Sequence, residues 1–169
     1  MRSNPEVAVL EVELPLGIKP TVKLSELHMN QLDRLESFDL WFVKEKLLAK
    51  KLIDENHIDE AISEFKRFIA LLIIDEGGVV MYSSEVDEVW HTFILFTREY
   101  AHFCEEVYGT FIHHNPYTSR TVQPLHTFAS FSERYKKVFG ELSKLWKPLA
   151  GNGSSKGICQ CDDVCDMPG

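Results

Sequence analysis

Apolar residues recur at helical spacing along most of this chain. The clearest case is NHIDEAISEFKRFIALLIIDEGG, where Ile58, Ala61, Ile62, Phe65, Phe68, Ile69 and Leu72 repeat at i, i+3, i+4 and i+7, the spacing that gathers side chains on one face of an α-helix. Asn56 offers an N-cap there and Gly77 a stop. From Ser37, itself able to cap, Phe38, Trp41, Phe42, Leu48 and Leu52 fall on one side of an earlier helix, and a shorter one is predicted from Ser25 to Leu35. After the loop GGVVMYSS, Ser84 can accept a hydrogen bond from the N–H near Asp87. Glu85, Asp87 and Glu88 then put negative charge at the positive end of a helix from Glu85 to Tyr108, stopped by Gly109. The loop TFIHHNPYTSR leads to a last helix from Thr121 to Leu145, with Pro124 in its first turn and Leu125, Phe128, Phe131, Tyr135, Val138, Leu142 and Leu145 as its buried stripe.

The two ends depart from this pattern. VAVLEVEL, residues 7–14, alternates imperfectly and then meets Pro15, Gly17 and Pro20, which reads as an extended arm or edge strand. Beyond Pro148, GNGSSKG has a linker composition, and ICQCDDVCDMPG packs three cysteines and three aspartates into 12 residues. The expected fold is therefore all-α. It is a compact bundle of four to five helices over residues 25–148, with a short extended arm at 1–24 and a flexible cysteine-containing tail at 149–169.

Charge and composition narrow the partners. A formal charge of −8 and a pI near 5.3 argue against nucleic acid, because affinity for phosphates comes from clustered Lys and Arg. The longest apolar run, FIALLII, is far short of the roughly 20 residues that span a bilayer. The N-terminus carries Glu inside its apolar part, unlike a secretory leader, so a cytoplasmic location without membrane contact is expected. Thiols there stay mostly reduced, and the tail cysteines need not form disulfides.

The candidate chemistry gathers between Glu85 and Pro116, which holds four of the seven histidines. On a straight helix, Val89, Phe93, Phe96, Tyr100, Cys104 and Val107 share one side, with Trp90 and Tyr108 at its margin. Asp87, His91, Arg98, His102 and Glu105 fall opposite, within about 60° of arc. This polar side reads first as a solvated face with ordinary ion pairs, which is what any surface helix shows opposite its apolar stripe. Its sharper reading makes His91 a metal ligand or general base held by Asp87, with Arg98 near for an anionic group. Neighbouring residues in an extended segment point in opposite directions, so one of His113 and His114 could return to His91. Asp87, His91 and one of that pair are thus candidate ligands for zinc or another transition metal. Cys104 reads as a small buried hydrophobe. Cys159, Cys161 and Cys165, spaced C-x-C-x3-C, could bind zinc or copper(I) with a histidine from the body; the same tail reads equally as an oxidisable or partner-recruiting handle.

VDEVWHTFILFTREYAHFC followed by YGTFIHHNP resembles the glycine-rich domain-containing protein-like family. The matching positions are Asp87, Trp90, His91, Tyr100, Cys104 and Gly109, with His113 and His114 in the following loop, and the resemblance extends over Ile58 to Trp146. Many relatives carry a second histidine two residues after the first, where this chain has Phe93. The resemblance implies a helical protein of unassigned activity; from the residues themselves, Trp90, Arg98 and Cys104 are further candidates to line a polar pocket around Asp87 and His91. Two alternatives stand beside a metal site. One is a noncatalytic module that presents Trp41, Trp90 or Trp146 to a protein partner; the other is an enzyme using His91 as a base, although no nucleophile, phosphate loop or carboxylate pair accompanies it.

Overall fold

A computed structural model describes residues 13–75, 78–116, 127–148 and 159–161. The fold is all-α, as the periodicity predicts. Six helices, α1 (Glu26–Ser37), α2 (Trp41–Lys50), α3 (Ile58–Ile74), α4 (Ser84–Ile94), α5 (Thr97–Phe103) and α6 (Phe128–Phe139), account for most of the described chain.

Helix α3 is the hub, packed against α1, α2 and α4. Its apolar spacing explains why: Ile58, Ala61, Phe65, Phe68, Ile69 and Leu72 are all buried. Asp54, not Asn56, caps the turn that leads into it, accepting from the Asn56 backbone N–H at 2.9 Å. Gly77 lies outside the described residues. Helix α1 starts where predicted, with the Ser25 hydroxyl accepting from His28 N. Ser37 closes that helix and does not cap the next, since its hydroxyl donates back to the Asp33 and Arg34 carbonyls.

Helix α2 sits at a different phase from the expected one. Val43 and Leu47 face the core, whereas Trp41, Leu48 and Leu52 are exposed. The helix stops at Lys51, which takes a left-handed conformation with φ 53°, so Leu52 no longer belongs to its face.

The last helix is shorter than predicted. Thr127 and Ser130 form a reciprocal capping box at its start, and Gly140 ends it with φ 97°, which residues bearing a Cβ rarely adopt. Leu145 and Trp146 are buried beyond it, in a non-helical segment. Residues 121–126, with Pro124 and Leu125, lie outside the described residues.

A charged side chain ties this C-terminal segment down. Glu64, on α3, is 2% exposed. Its Oε2 accepts from the Tyr135 hydroxyl at 2.7 Å and from Trp146 Nε1 at 2.6 Å, while Oε1 accepts from Arg67 at 2.9 Å. Burial, and then the neighbouring carboxylate, push the Tyr135 hydroxyl far above its ordinary pKa.

Three short strands complete the description: β1 (Val79–Val80), β2 (Asn115–Pro116) and β3 (Cys159–Cys161). Their order is β1-β3-β2, both pairings antiparallel, so the C-terminal segment lies between two strands of the body. Val79–Val80 was expected in a loop and Cys159–Cys161 in a flexible tail. Their pairing partners are far off in sequence, and no local periodicity reports them. Residues 1–12, 149–158 and 162–169, with most of the predicted arm, the GNGSSKG linker and Cys165, lie outside the described residues.

Candidate metal centre

The predicted helix from Glu85 to Tyr108 is three pieces. Ser83 caps α4, its hydroxyl accepting from Val86 N, so the cap falls one residue before Ser84. The helix then breaks at Leu95 and Phe96, where Phe96 takes φ −87° and ψ 67° and its ring packs on Phe42 with centroids 4.9 Å apart. After α5 the chain passes into a wide π-helical turn, Cys104–Tyr108, closed by Gly109 at φ 93°.

These breaks undo the single helical wheel. Arg98 and His102 are exposed on α5, beyond the break from the helix that carries Asp87 and His91, and His102 is not grouped with those two. Asp87 is not on a solvated face at all: it is 1% exposed. Its place in the first turns of α4 sets it near the positive end of the helix, which favours a carboxylate. Trp90, expected at a margin, is fully buried beside Phe65 and Phe68.

The loop after Gly109 is held by its backbone. Trp90 Nε1 donates to the Tyr100 hydroxyl at 2.9 Å, and that hydroxyl donates to the Ile112 carbonyl at 2.6 Å. Ile112 N–H donates to Cys104 Sγ at 3.5 Å. Thus Tyr100 and Cys104, read from sequence as apolar filling, also fix the loop. Burial raises the Cys104 thiol above its ordinary pKa, which keeps it a neutral partner and not a nucleophile.

Two residues further on, His114 is delivered to Asp87. Its Nε2 lies 3.0 Å from Asp87 Oδ1, its side chain is 4% exposed, and its ring packs on Trp90 at 4.3 Å between centroids. His91 stacks on the other histidine, with centroids 4.7 Å apart and ring planes 23° from parallel. Its Nε2 lies 3.7 Å from Asp87 Oδ2 and its Nδ1 4.0 Å from Glu88 Oε2. His91 is 42% exposed, so the cluster reaches solvent through it. His113 turns away, exposed against the Phe111 ring.

One oxygen from Asp87 and one nitrogen each from His91 and His114 all lie within 4.8 Å of one another. Tetrahedral zinc with bonds near 2.1 Å separates its ligand atoms by about 3.4 Å. The donors of the cluster are thus spaced somewhat more widely than the ligand atoms of one tetrahedral ion, with the half-exposed His91 ring the outermost. Two carboxylates, Asp87 and Glu88, beside two imidazoles also give the cluster a field that favours a cation.

Fold and site together define a small helical protein with a compact Asp-His-His cluster. The chain belongs to the UCP032817-like family of uncharacterised proteins, whose sequence model matches residues 31–136, a window that includes all three clustered residues. No curated protein and no solved structure matches the chain. No helix among the described residues is long and apolar enough to cross a membrane.

Proposed function

We propose that the protein binds a divalent transition metal, zinc being the best fit, through Asp87, His91 and His114. The convergence of those three donors within 4.8 Å carries the reading. A mixed oxygen and imidazole set suits zinc and its neighbours better than magnesium or calcium, which take oxygen ligands. Trp90, Tyr100 and Cys104 act as positioning residues that hold the His114 loop. The resemblance to glycine-rich domain-containing proteins rests on these same residues.

Metal analysis of protein purified without an affinity tag, after incubation with zinc and removal of excess, tests the reading. About one equivalent is expected in the wild type, with loss in His91→Ala and in His114→Ala. A metal-free wild type, or His91→Ala that retains a full equivalent, ends it.

A second reading, a noncatalytic interaction module, has one observation behind it. Trp41 is 62% exposed and Leu52 54%, while Trp90 and Trp146 are buried and unavailable to a partner. Pull-down with and without residues 151–169, and with Trp41→Ala, separates the body from the tail. A partner retained without the tail and lost in Trp41→Ala supports a body-mediated interface; retention in Trp41→Ala removes it.

A further inference from the structure

We propose that α2 pairs with the α2 of a second copy of this chain, antiparallel and around a two-fold axis between Lys44 and Glu45. This rests on the interaction reading above, in which Trp41 meets a protein partner, and names that partner.

Helix α2 gives its inner side to the core through Val43 and Leu47 and packs on α3 and α4. Its outer side carries Trp41, Lys44, Glu45 and Leu48, spaced i, i+3, i+4 and i+7, which places them on one stripe about two turns long. Trp41 is 62% exposed and Leu48 38%. Glu45 is exposed, and the Lys44 side chain is 43% exposed, its ammonium group resting against the open Asp59 carboxylate. The two apolar side chains thus flank a cation and an anion on a face that meets water.

The stripe reads W-x-x-K-E-x-x-L, an order that is self-complementary under a two-fold rotation. With two copies antiparallel and the axis between positions 44 and 45, Trp41 of one copy meets Leu48 of the other, and Lys44 meets Glu45. Each contact then occurs twice, as a two-fold interface requires. A parallel pairing sets Lys44 beside Lys44 and Glu45 beside Glu45, and like charges in contact oppose association. A different protein would have to supply the same order of apolar, acidic, basic and apolar groups, which this chain already carries.

Burial of Trp41 against Leu48 supplies the attraction, tryptophan being among the side chains that dominate interfaces. The Lys–Glu pairs fix direction and register more than strength. A stripe of this length buries less than the roughly 800 Å² per partner of a standard interface, so the dimer is weak and forms at high concentration.

Sedimentation equilibrium of the full chain, from micromolar to millimolar concentration and under reducing conditions that exclude disulfides between tails, tests this. The wild-type mass is expected to rise towards that of a dimer. Trp41→Ala, Lys44→Glu and Glu45→Lys should each weaken association by roughly tenfold or more. The double variant K44E/E45K exchanges the charges and should recover wild-type association to within about threefold. Both Lys44→Glu and the double variant lose the contact with Asp59, so the difference between them reads the pairing across the axis, and circular dichroism confirms that each is folded. A wild type that stays monomeric overturns the proposal; loss of a pulled-down protein in Trp41→Ala would still leave the broader interaction reading standing. A dimer indifferent to the three single changes lies on another surface and overturns it, as does a double variant no better than its parents.

Discussion

Glu64 and Asp87 are both buried carboxylates on neighbouring helices, 2% and 1% exposed, yet their surroundings differ in kind. Glu64 is met by Arg67 from its own helix, Tyr135 from α6 and Trp146 beyond it, all within 2.9 Å. Those partners are fixed donors, drawn from three parts of the chain. Asp87 is met by two imidazoles, one bonded at 3.0 Å and one held off at 3.7 Å, with a route to solvent through the second. An imidazole nitrogen can give up its proton and turn its lone pair to a metal, which an indole or guanidinium cannot. Full satisfaction by permanent donors marks an anchor, whereas a buried carboxylate faced by two imidazoles is the arrangement on which the proposed cation site rests.

The largest effect should come from spoiling the anchor. Glu64→Gln sets an amide N–H₂ among donors and should cost about 3–5 kcal/mol, the range for breaking a buried charged pair; urea unfolding measures it. A loss below about 1 kcal/mol would remove the structural half of the contrast.

Next is Tyr100→Phe, which leaves Trp90 Nε1 and the Ile112 carbonyl without their shared hydroxyl. Two buried groups at about 1–3 kcal/mol each give a loss of about 2–4 kcal/mol. Because the same hydroxyl holds the loop before His114, zinc affinity should fall together with stability, by roughly 10–100-fold, as for other groups that orient metal ligands. Calorimetry that finds unchanged affinity would show that the loop positions itself.

Asp87→Asn should behave in the opposite sense to Glu64→Gln. Its cost in stability is expected to be only about 1 kcal/mol. Its zinc affinity should fall by more than the roughly 10–100-fold of an outer partner. Equal destabilisation by the two isosteric changes would erase the distinction between them.

The smallest effect lies in pH. Burial holds Tyr135, Tyr82 and Cys104 above their ordinary pKa values in the folded protein. The unfolded chain therefore loses these protons first. Their contribution is fully present below about pH 8.5 and declines as pH rises through the ordinary range of Cys and Tyr. Tyr135→Phe should flatten that alkaline decline in chemical denaturation, whereas Asp87→Asn should leave it unchanged.

Much of the fold could be read from local rules, because α3 follows the rule of apolar spacing and α1 starts at its predicted cap. The break at Leu95 and Phe96 could not: Phe96 leaves the helix to pack on Phe42, a partner more than 50 residues away. That break is why the wheel misplaced Arg98 and His102. The site was legible in part. Asp87 and His91 are related by a four-residue spacing, and one of the two loop histidines was expected to return. Which one depends on Tyr100 and Cys104 gripping Ile112, a contact with no local sequence signal. Glu64 did leave a trace that went unread: a carboxylate among Ala61, Phe65 and Phe68, on the face that packs inward.

The grip on Ile112 has a consequence for how the sequence can vary. Tyr100 and Cys104 seize main-chain atoms, the carbonyl and the N–H, and these are the same for any residue but proline. Thr110 and His113 are exposed around that point and take no part in the grip, whereas the exposed Phe111 ring packs edge-on against Tyr100, with centroids 5.3 Å apart. The loop is therefore open to mutational drift at Thr110 and His113 while His114 stays in place, so that new recognition could evolve beside the cluster without disturbing it.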